Sequence, residues 1–258
     1  KYADLFGVAC GEKNILFTNN DSAYETAISL IQKGIKVQAI IDNREEIDSK
    51  LIKETEKNNI KIFKGYTIVD TFGYKRINSV SIMKLSKDGQ KVIGSKENIS
   101  CDSLGISGGW TPAVHLFTQS GGKLKFRDDD QVFIPNIYPS NQISIGSCNG
   151  DFTLDEILIN APKLLKEFLN IKKTEYENIE IYSAFNKSKR NIWLLPSNKI
   201  VGKTKSFVDF QNDATAKDIK LALREGFRSI EHVKRYTTTG MGTDQGKLGN
   251  MHALGIIS

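Results

Sequence analysis

The chain has 258 residues and a formal net charge of +6, with 39% hydrophobic and 26% charged residues. Its length favours more than one domain, and its composition is that of a globular protein with a sizeable core. The lysines are scattered without interleaved stacking aromatics, so the charge predicts no nucleic-acid partner. Because no apolar run reaches the length of a membrane helix and no signal segment opens the chain, we expect no membrane partner and a cytoplasmic location.

The two ends predict a piece of a longer polypeptide. The chain begins with Lys1 rather than methionine, and it stops in an apolar run, Ala253-Leu254-Gly255-Ile256-Ile257. This run is typical of a structural element cut short.

The cysteines and histidines predict no metal centre and no catalytic group. Cys10, Cys101 and Cys148 are far apart, odd in number and without CxxC spacing, so we expect three buried or half-buried thiols and no disulfide framework. His115 and His232 have no acid or cysteine nearby in sequence at catalytic or ligand spacing, so packing or surface roles are favoured.

The first third of the chain predicts a β-α-β unit. An apolar strand at 15–18 is followed by a helix with apolar residues at 23, 27, 28 and 31, which Gly34 ends, and by a second strand at 37–41. Parallel strands joined by a helix are the frame of nucleotide-binding folds. The unit therefore predicts an α/β domain with a nucleotide-type sheet.

The loop of this unit lacks the glycines of a dinucleotide fingerprint, since it reads Thr18-Asn19-Asn20-Asp21-Ser22-Ala23. Asp21 would repel a pyrophosphate at the helix N-terminus, whereas Asp42 lies where an acid could bind a ribose hydroxyl. We favour a degenerate dinucleotide fold retained for packing over a working nucleotide site.

The next segments predict an antiparallel insertion and a crossover. A charged helix at 45–58 and a strand at 60–63 precede a meander at 67–72, 77–85 and 91–94. The strand that ends in Ser107-Gly108-Gly109-Trp110-Thr111-Pro112 resembles the exit strand of the NAD domain in flavoprotein reductases with two dinucleotide domains. Short strands are then predicted at 131–135 and 141–145.

The best candidate for a cofactor site is the glycine-containing loop at 145–154. Strand, glycine loop and helix N-terminus form an arrangement that holds phosphate groups with backbone N–H groups. An ordinary helix-capping loop stays an open alternative, because Gly and Asn are common in caps. The candidate cofactor contacts are Gly146, Ser147, Cys148, Asn149, Gly150, Phe152 and Leu154.

The last third predicts a connector and a small helical domain. Residues 171–204 are polar and rich in lysine, as in an interdomain connector. Thr215 and Asp218 form a capping box for one short helix, and Ser229 caps a second. The chain then enters the glycine-rich loop 240–247.

Four motifs together resemble the alpha subunits of heterotetrameric sarcosine oxidases. They are residues 18–24 (TNNDSAY), 107–112 (SGGWTP), 207–213 (FVDFQND) and 240–247 (GMGTDQGK). The resemblance implies a two-dinucleotide-domain, flavoprotein-reductase-like α/β fold with four parts. These are a degenerate Rossmann-like domain at 1–115, the return segment of a first, NAD-holding nucleotide domain at 116–170, the connector at 171–204, and a small ferredoxin-BFD-like domain at 205–258.

The resemblance also implies an activity for the whole complex. Sarcosine is demethylated to glycine, the one-carbon unit passes to tetrahydrofolate in a domain beyond this chain, and hydrogen peroxide is formed. NAD is implied for the alpha subunit and FAD and FMN for the beta subunit, with gamma and delta subunits as further partners. Within this family the 146–154 loop maps onto NAD contacts, with Ser147, Phe152 and Leu154 foremost. The chain itself is implied to be scaffold and docking surface without catalytic residues.

The alternatives are the alpha subunit of a related proline or opine dehydrogenase, and a nucleotide-binding interaction module. In relatives such as opine oxidases, the 205–258 domain holds a [2Fe-2S] cluster on four cysteines. The corresponding positions here are Asp209, Gln211, Asp244 and Gly249. Since such clusters need thiolate ligands, we expect no iron–sulfur cluster.

Overall fold

A computed structural model describes residues 1–47, 49–139, 141–171, 191–197 and 205–258. The predicted connector 171–204 lies largely outside these residues. The chain divides into two compact units, one of residues 1–82 and 96–191 and the other of residues 83–95 and 192–258.

A four-stranded parallel sheet forms the centre of the first unit, with strand order β3-β2-β1-β7. All five residues of β1 are buried, and Tyr24 and Ala27 of α2 pack on the sheet with Ile40 of β2. Full burial of a side chain such as that of Ile40 stabilises the fold by roughly 1.5–3 kcal/mol. The predicted β-α-β unit is confirmed. The elements are α1 (Tyr2–Phe6), β1 (Asn14–Thr18), α2 (Ser22–Gln32), β2 (Val37–Asp42), α3 (Ser49–Lys57), β3 (Lys61–Lys64) and β7 (Ser103–Ser107).

Helix α3 begins later than the predicted 45–58 helix. The Arg44 N–H donates to Asp42 Oδ1 at 2.9 Å, and the Arg44 carbonyl accepts from Gly65 N–H at 2.9 Å. These bonds hold the chain in a loop after β2, so the helix starts only at Ser49.

The predicted meander is a three-stranded sheet of order β4-β5-β6. The third strand extends beyond the predicted 91–94 to Ser100. Gly94 has a φ of +79°, a conformation that glycine adopts readily, and the strand continues through it. The strands are β4 (Tyr66–Gly73), β5 (Ile77–Leu85) and β6 (Val92–Ser100).

The segment before the candidate loop differs from its prediction. The strand predicted at 131–135 is β9 (Val132–Ile137), but its antiparallel partner is β8 (Lys123–Arg127), which the sequence reasoning missed. Phe126 and Phe133 face each other across this hairpin with ring centroids 5.2 Å apart. The strand predicted at 141–145 was wrong, because the described residues there form no strand. Helix α4 (His115–Gln119) precedes the hairpin, and α5 (Leu154–Phe168) follows it.

The second unit has its own apolar core. Ile219 and Ala222 of α6 pack with Val233 of α7, Ala253 of α8 and Val208 of β10. The Thr215–Asp218 capping box is confirmed at the start of α6, whereas Ser229 makes no side-chain cap bond at α7. The elements are β10 (Phe207–Asp209), β11 (Ala214–Thr215), α6 (Ala216–Arg224), α7 (Ile230–Thr237) and α8 (Gly249–Ile257). Over the described parts of both units, no helix combines the length and apolarity needed to cross a membrane.

Candidate functional site

The carboxyl edge of the parallel sheet is closed by a buried ionic cluster. Arg44 Nη1 lies 2.8 Å from Asp21 Oδ1, and Arg44 Nη2 lies 2.8 Å from Asp42 Oδ2. The Tyr24 hydroxyl donates to Asp42 Oδ2 at 3.0 Å. Asp21, Tyr24 and Asp42 are fully buried. Asp42, the acid suited to a ribose hydroxyl, is therefore bonded to side chains of its own domain.

The electrostatics of this cluster follow from burial and pairing. Burial would lower the pKa of Arg44, but the hydrogen bond and charge of Asp42, together with Asp21, raise it. Burial raises the pKa of Tyr24, and the adjacent Asp42 carboxylate raises it further. Arg44 thus stays cationic and Tyr24 stays a neutral donor.

The loop between β1 and α2 is filled by its own amide side chains. Asn20 Nδ2 donates to Asn19 Oδ1 at 3.0 Å and to Ser107 Oγ at 3.1 Å. Asn19 Nδ2 donates to the Gly108 carbonyl at 3.2 Å and to Asn191 Oδ1 at 3.1 Å. These bonds occupy the place of a glycine-rich phosphate loop. Together with the Arg44 cluster they support the interpretation that this fold is retained for packing.

The loop at 146–154 contains a short 3₁₀ helix. The 3₁₀ turn spans Gly146–Asn149, Gly150 follows with a φ of +84°, and Thr153 caps α5. Cys148 Sγ donates to the Ile145 carbonyl at 3.1 Å, and Asn149 Oδ1 accepts from the Tyr138 hydroxyl at 3.2 Å. The candidate contact residues thus form one continuous turn at the start of α5, with Leu154 exposed.

Several amides of this turn already have protein partners. The N–H groups of Phe152 and Thr153 donate to Glu156 Oε2 at 2.9 and 3.2 Å, and the Glu156 N–H donates to Thr153 Oγ1 at 3.1 Å. The resulting capping box satisfies donors that a phosphate would need. Asp155 and Glu156 also place negative charge in the first turn, which disfavours an anion there.

Asp151 is a candidate that the sequence reasoning missed. It is only 8% exposed, and its Oδ1 accepts from Asn160 Nδ2 at 3.0 Å. Among the described residues, no donor lies within hydrogen-bond distance of the buried Asp151 Oδ2, and the same holds for Asp155 Oδ2. A buried acceptor without a donor is costly. The turn therefore fits a group that brings hydroxyl donors, such as a nucleotide ribose, better than a phosphate. The available signal was an acid directly after the glycine at the helix start.

Arg127 connects this turn to the β8–β9 hairpin. Its Nε donates to Asp130 Oδ1 at 2.8 Å, its Nη2 pairs with Asp130 Oδ2, and its Nη2 donates to the Gly150 carbonyl at 2.9 Å. The hydrogen bond that Arg127 donates to Asp130, followed by the charges of Asp130, Asp151 and Glu156, raises the pKa of Arg127 despite partial burial. A permanent cation thus lies at this turn, bonded to Asp130 and to the Gly150 carbonyl.

In the second unit, the four positions for which the resemblance implied cluster cysteines in relatives lie near one another. Asp209 accepts from the N–H groups of Gly240 at 2.7 Å and Gln211 at 2.8 Å, and Gln211 Oε1 accepts from Asp244 N–H at 3.4 Å. A Cβ on Gly249 would lie 3.7 Å from Asp209 Cβ. Burial acts to raise the pKa of Asp209, but the amide hydrogen bonds from Gly240 and Asn212 outweigh it and lower the pKa. The Asp209 carboxylate therefore links the loop at 209–212 to the loop at 240 by hydrogen bonds.

The remaining predictions concern isolated side chains. His115 and His232 are both exposed, in accordance with surface roles. Cys101 is buried and Cys148 half-buried, but the prediction was wrong for Cys10, which is exposed. Within the residues that the structure describes, no three His, Cys, Asp or Glu side chains gather as a metal site.

Comparison with known proteins identifies the relatives. Residues 203–258 match the model of the sarcosine oxidase A3 domain. The whole chain is 32% identical to the sarcosine oxidase subunit alpha of Rhizobium meliloti (strain 1021) and 30% identical to that of Corynebacterium sp. (strain P-1). The chain is similar to sarcosine oxidase alpha subunits over its full length. The resemblance predicted from the four motifs is confirmed, and the chain spans about a quarter of the length of these relatives, 25% and 27%.

Comparison with solved structures shows the fold. The whole chain superposes on 46% of L-proline dehydrogenase from P. horikoshii with a TM-score of 0.56 and 18% sequence identity. The parallel sheet confirms the predicted α/β fold, and the A3 match confirms a further family domain at residues 203–258. At this identity the likeness concerns the fold alone.

Proposed function

We propose that the chain is the central part of the alpha subunit of a sarcosine oxidase. The complex would demethylate sarcosine to glycine in the cytoplasm, pass the one-carbon unit to tetrahydrofolate in a domain beyond this chain, and form hydrogen peroxide. The observation that carries the proposal is the 30–32% identity of the complete chain to three curated alpha subunits.

Within this complex we assign the chain a scaffolding role. FAD and FMN, which we assign to a partner beta subunit, would supply the redox chemistry that couples oxidation of the N-methyl group of sarcosine to reduction of dioxygen. Gamma and delta subunits complete the proposed heterotetramer. The name "subunit alpha" of the relatives supports the presence of other subunits.

We further propose that NAD is held at the turn that opens α5. The contacts would come from Gly146 to Gly150, Phe152 and Leu154, with Asp151 accepting from a ribose hydroxyl. NAD, when bound, supplies a nicotinamide ring that exchanges hydride. The half-exposed apolar side chains of α5, Leu158, Leu165 and Phe168 among them, support a position against further parts of the full-length subunit.

The A3 domain has, in this proposal, a docking role without an iron–sulfur cluster. Asp209 ties the loops at 209–212 and 240, as thiolate ligation of a cluster would in other proteins. Purified full-length protein that contains iron and acid-labile sulfide, with the visible absorbance of such a centre, would contradict this assignment.

The activity is tested by co-expressing the full-length subunit with its partner subunits. Peroxide formation is measured with sarcosine and with proline as substrates, and the nucleotide released by denaturing the complex is identified by chromatography. We expect peroxide from sarcosine and release of NAD. Oxidation of proline alone would refute the proposal in favour of an imino-acid dehydrogenase.

A further inference from the structure

We propose that Arg127 is a positioning residue, which holds the 146–151 turn so that Asp151 meets the bound nucleotide. The inference rests on the proposed assignment of NAD to this turn. The role that we assign runs through Nε and Nη2 of Arg127, which bond Asp130 and the Gly150 carbonyl.

The guanidinium of Arg127 is fixed by a two-pronged ion pair. Its Nε and Nη2 both bond the carboxylate of Asp130, which is 9% exposed and lies in the hairpin turn between β8 and β9. Paired bonds of this kind set the plane of the guanidinium as well as its position. The remaining donor direction of Nη2 then points at the Gly150 carbonyl, 2.9 Å away.

The turn lies directly against this fixed group. A Cβ added to Gly150 would lie 2.7 Å from Arg127 Nη2 and 2.9 Å from Ile134 Cγ2, so the backbone approaches as closely as a glycine permits. Asp151 is the next residue, and Asn160 of α5 holds its Oδ1. Arg127 thus fixes the backbone and Asn160 fixes the side chain, which leaves Oδ2 as the acceptor without a described donor.

The positive charge of Arg127 also offsets the negative charge of the acids around this turn. Asp130, Asp151 and Glu156 lie near enough to raise its pKa, so the cation offsets acids that would otherwise repel a nucleotide diphosphate. Arg127→Met removes both the paired hydrogen bonds to Asp130 and the positive charge, whereas Arg127→Lys keeps the charge and loses the paired hydrogen bonds. Lys125→Met changes an exposed residue of the same strand and removes one positive charge from the hairpin as a matched control.

The experiment measures the dissociation constant of NAD, by calorimetry, for the full-length subunit in its complex. We expect Arg127→Met to weaken binding roughly tenfold or more, the equivalent of one charge-assisted hydrogen bond. Arg127→Lys should stay measurably weaker than the unsubstituted protein, and Lys125→Met should bind normally. Circular dichroism and the melting temperature of the nucleotide-depleted complex check that the variants fold.

A double-mutant cycle with Asp151→Asn separates positioning from general destabilisation. If Arg127 acts through Asp151, the loss in the double variant is smaller than the product of the two single losses. Unchanged NAD binding by Arg127→Met, full binding by Arg127→Lys, or independent losses would overturn the positioning role while leaving the NAD assignment intact. Absence of NAD binding by the unsubstituted complex would overturn both.

Discussion

Replacing Arg44 by methionine should strongly destabilise the first unit. Asp21 and Asp42 are fully buried, and the Arg44 side chain is only 11% exposed, so the variant leaves two buried carboxylates without their cation. Removing one partner of a buried ion pair costs about 3–5 kcal/mol. This is a large part of the 5–15 kcal/mol by which a typical domain is stable.

The assay follows the urea unfolding of the first unit by tryptophan fluorescence. Trp110 belongs to that unit and donates from Nε1 to Ser22 Oγ at 3.3 Å, so its fluorescence reports on the edge beside the ionic cluster. Trp193 belongs to the second unit and is replaced by phenylalanine in all variants. At an m-value of roughly 2.5–3 kcal/mol/M, the upper end for small proteins in urea, the expected loss of about 3–5 kcal/mol lowers the midpoint by roughly 1–2 M urea.

Two further variants test the reasoning behind this loss. Arg76→Met removes an arginine that is 63% exposed in the same unit, and it should shift the midpoint much less. The triple variant Arg44→Met, Asp21→Asn, Asp42→Asn removes the unpaired charges and should recover part of the stability. An unshifted midpoint for Arg44→Met, or a triple variant less stable than the single one, would refute the assignment of a buried ion cluster.

Three other substitutions test the turns. Asp209→Asn should cost roughly 2–3 kcal/mol of unfolding free energy at neutral pH, since charged hydrogen bonds are lost. Because folding lowers the pKa of Asp209, its carboxylate stabilises the fold above the ordinary carboxyl range, and this stabilisation fades as the pH falls below about 4. The melting temperature of the variant should therefore fall less steeply with acid than that of the unsubstituted protein. Identical pH profiles of the two proteins would contradict this prediction. Gly240→Ala places a Cβ against Asn250 at a φ of +73° and should cost roughly 1–3 kcal/mol by the same melting assay, with an unchanged melting temperature as the contrary result. Gly150→Ala should expel the Arg127 guanidinium from its site and speed hydrogen exchange at 146–151, and normal protection there would oppose the proposed contact.

The sequence by itself determined those helices and strands whose signals come from residues close together in the chain. The capping box of Thr215 and Asp218 joins residues three apart, so the start of α6 was predictable. The β-α-β unit followed from the periodicity of apolar residues, and the missing glycines at 18–23 indicated a degenerate site. Four motifs sufficed to identify the resemblance to sarcosine oxidase alpha subunits.

Contacts between distant residues were decided only by the tertiary structure. The sequence indicated Asp42 as a possible ribose ligand, but it did not show that Arg44 folds back to pair Asp42 with Asp21 across the sheet edge. Nor did it show that β9 pairs with β8, or that Asp151 becomes a buried acceptor. Hydrophobic period and caps specify local conformation, whereas the partner of a buried charge depends on which strands meet, and that is set by packing of the whole unit.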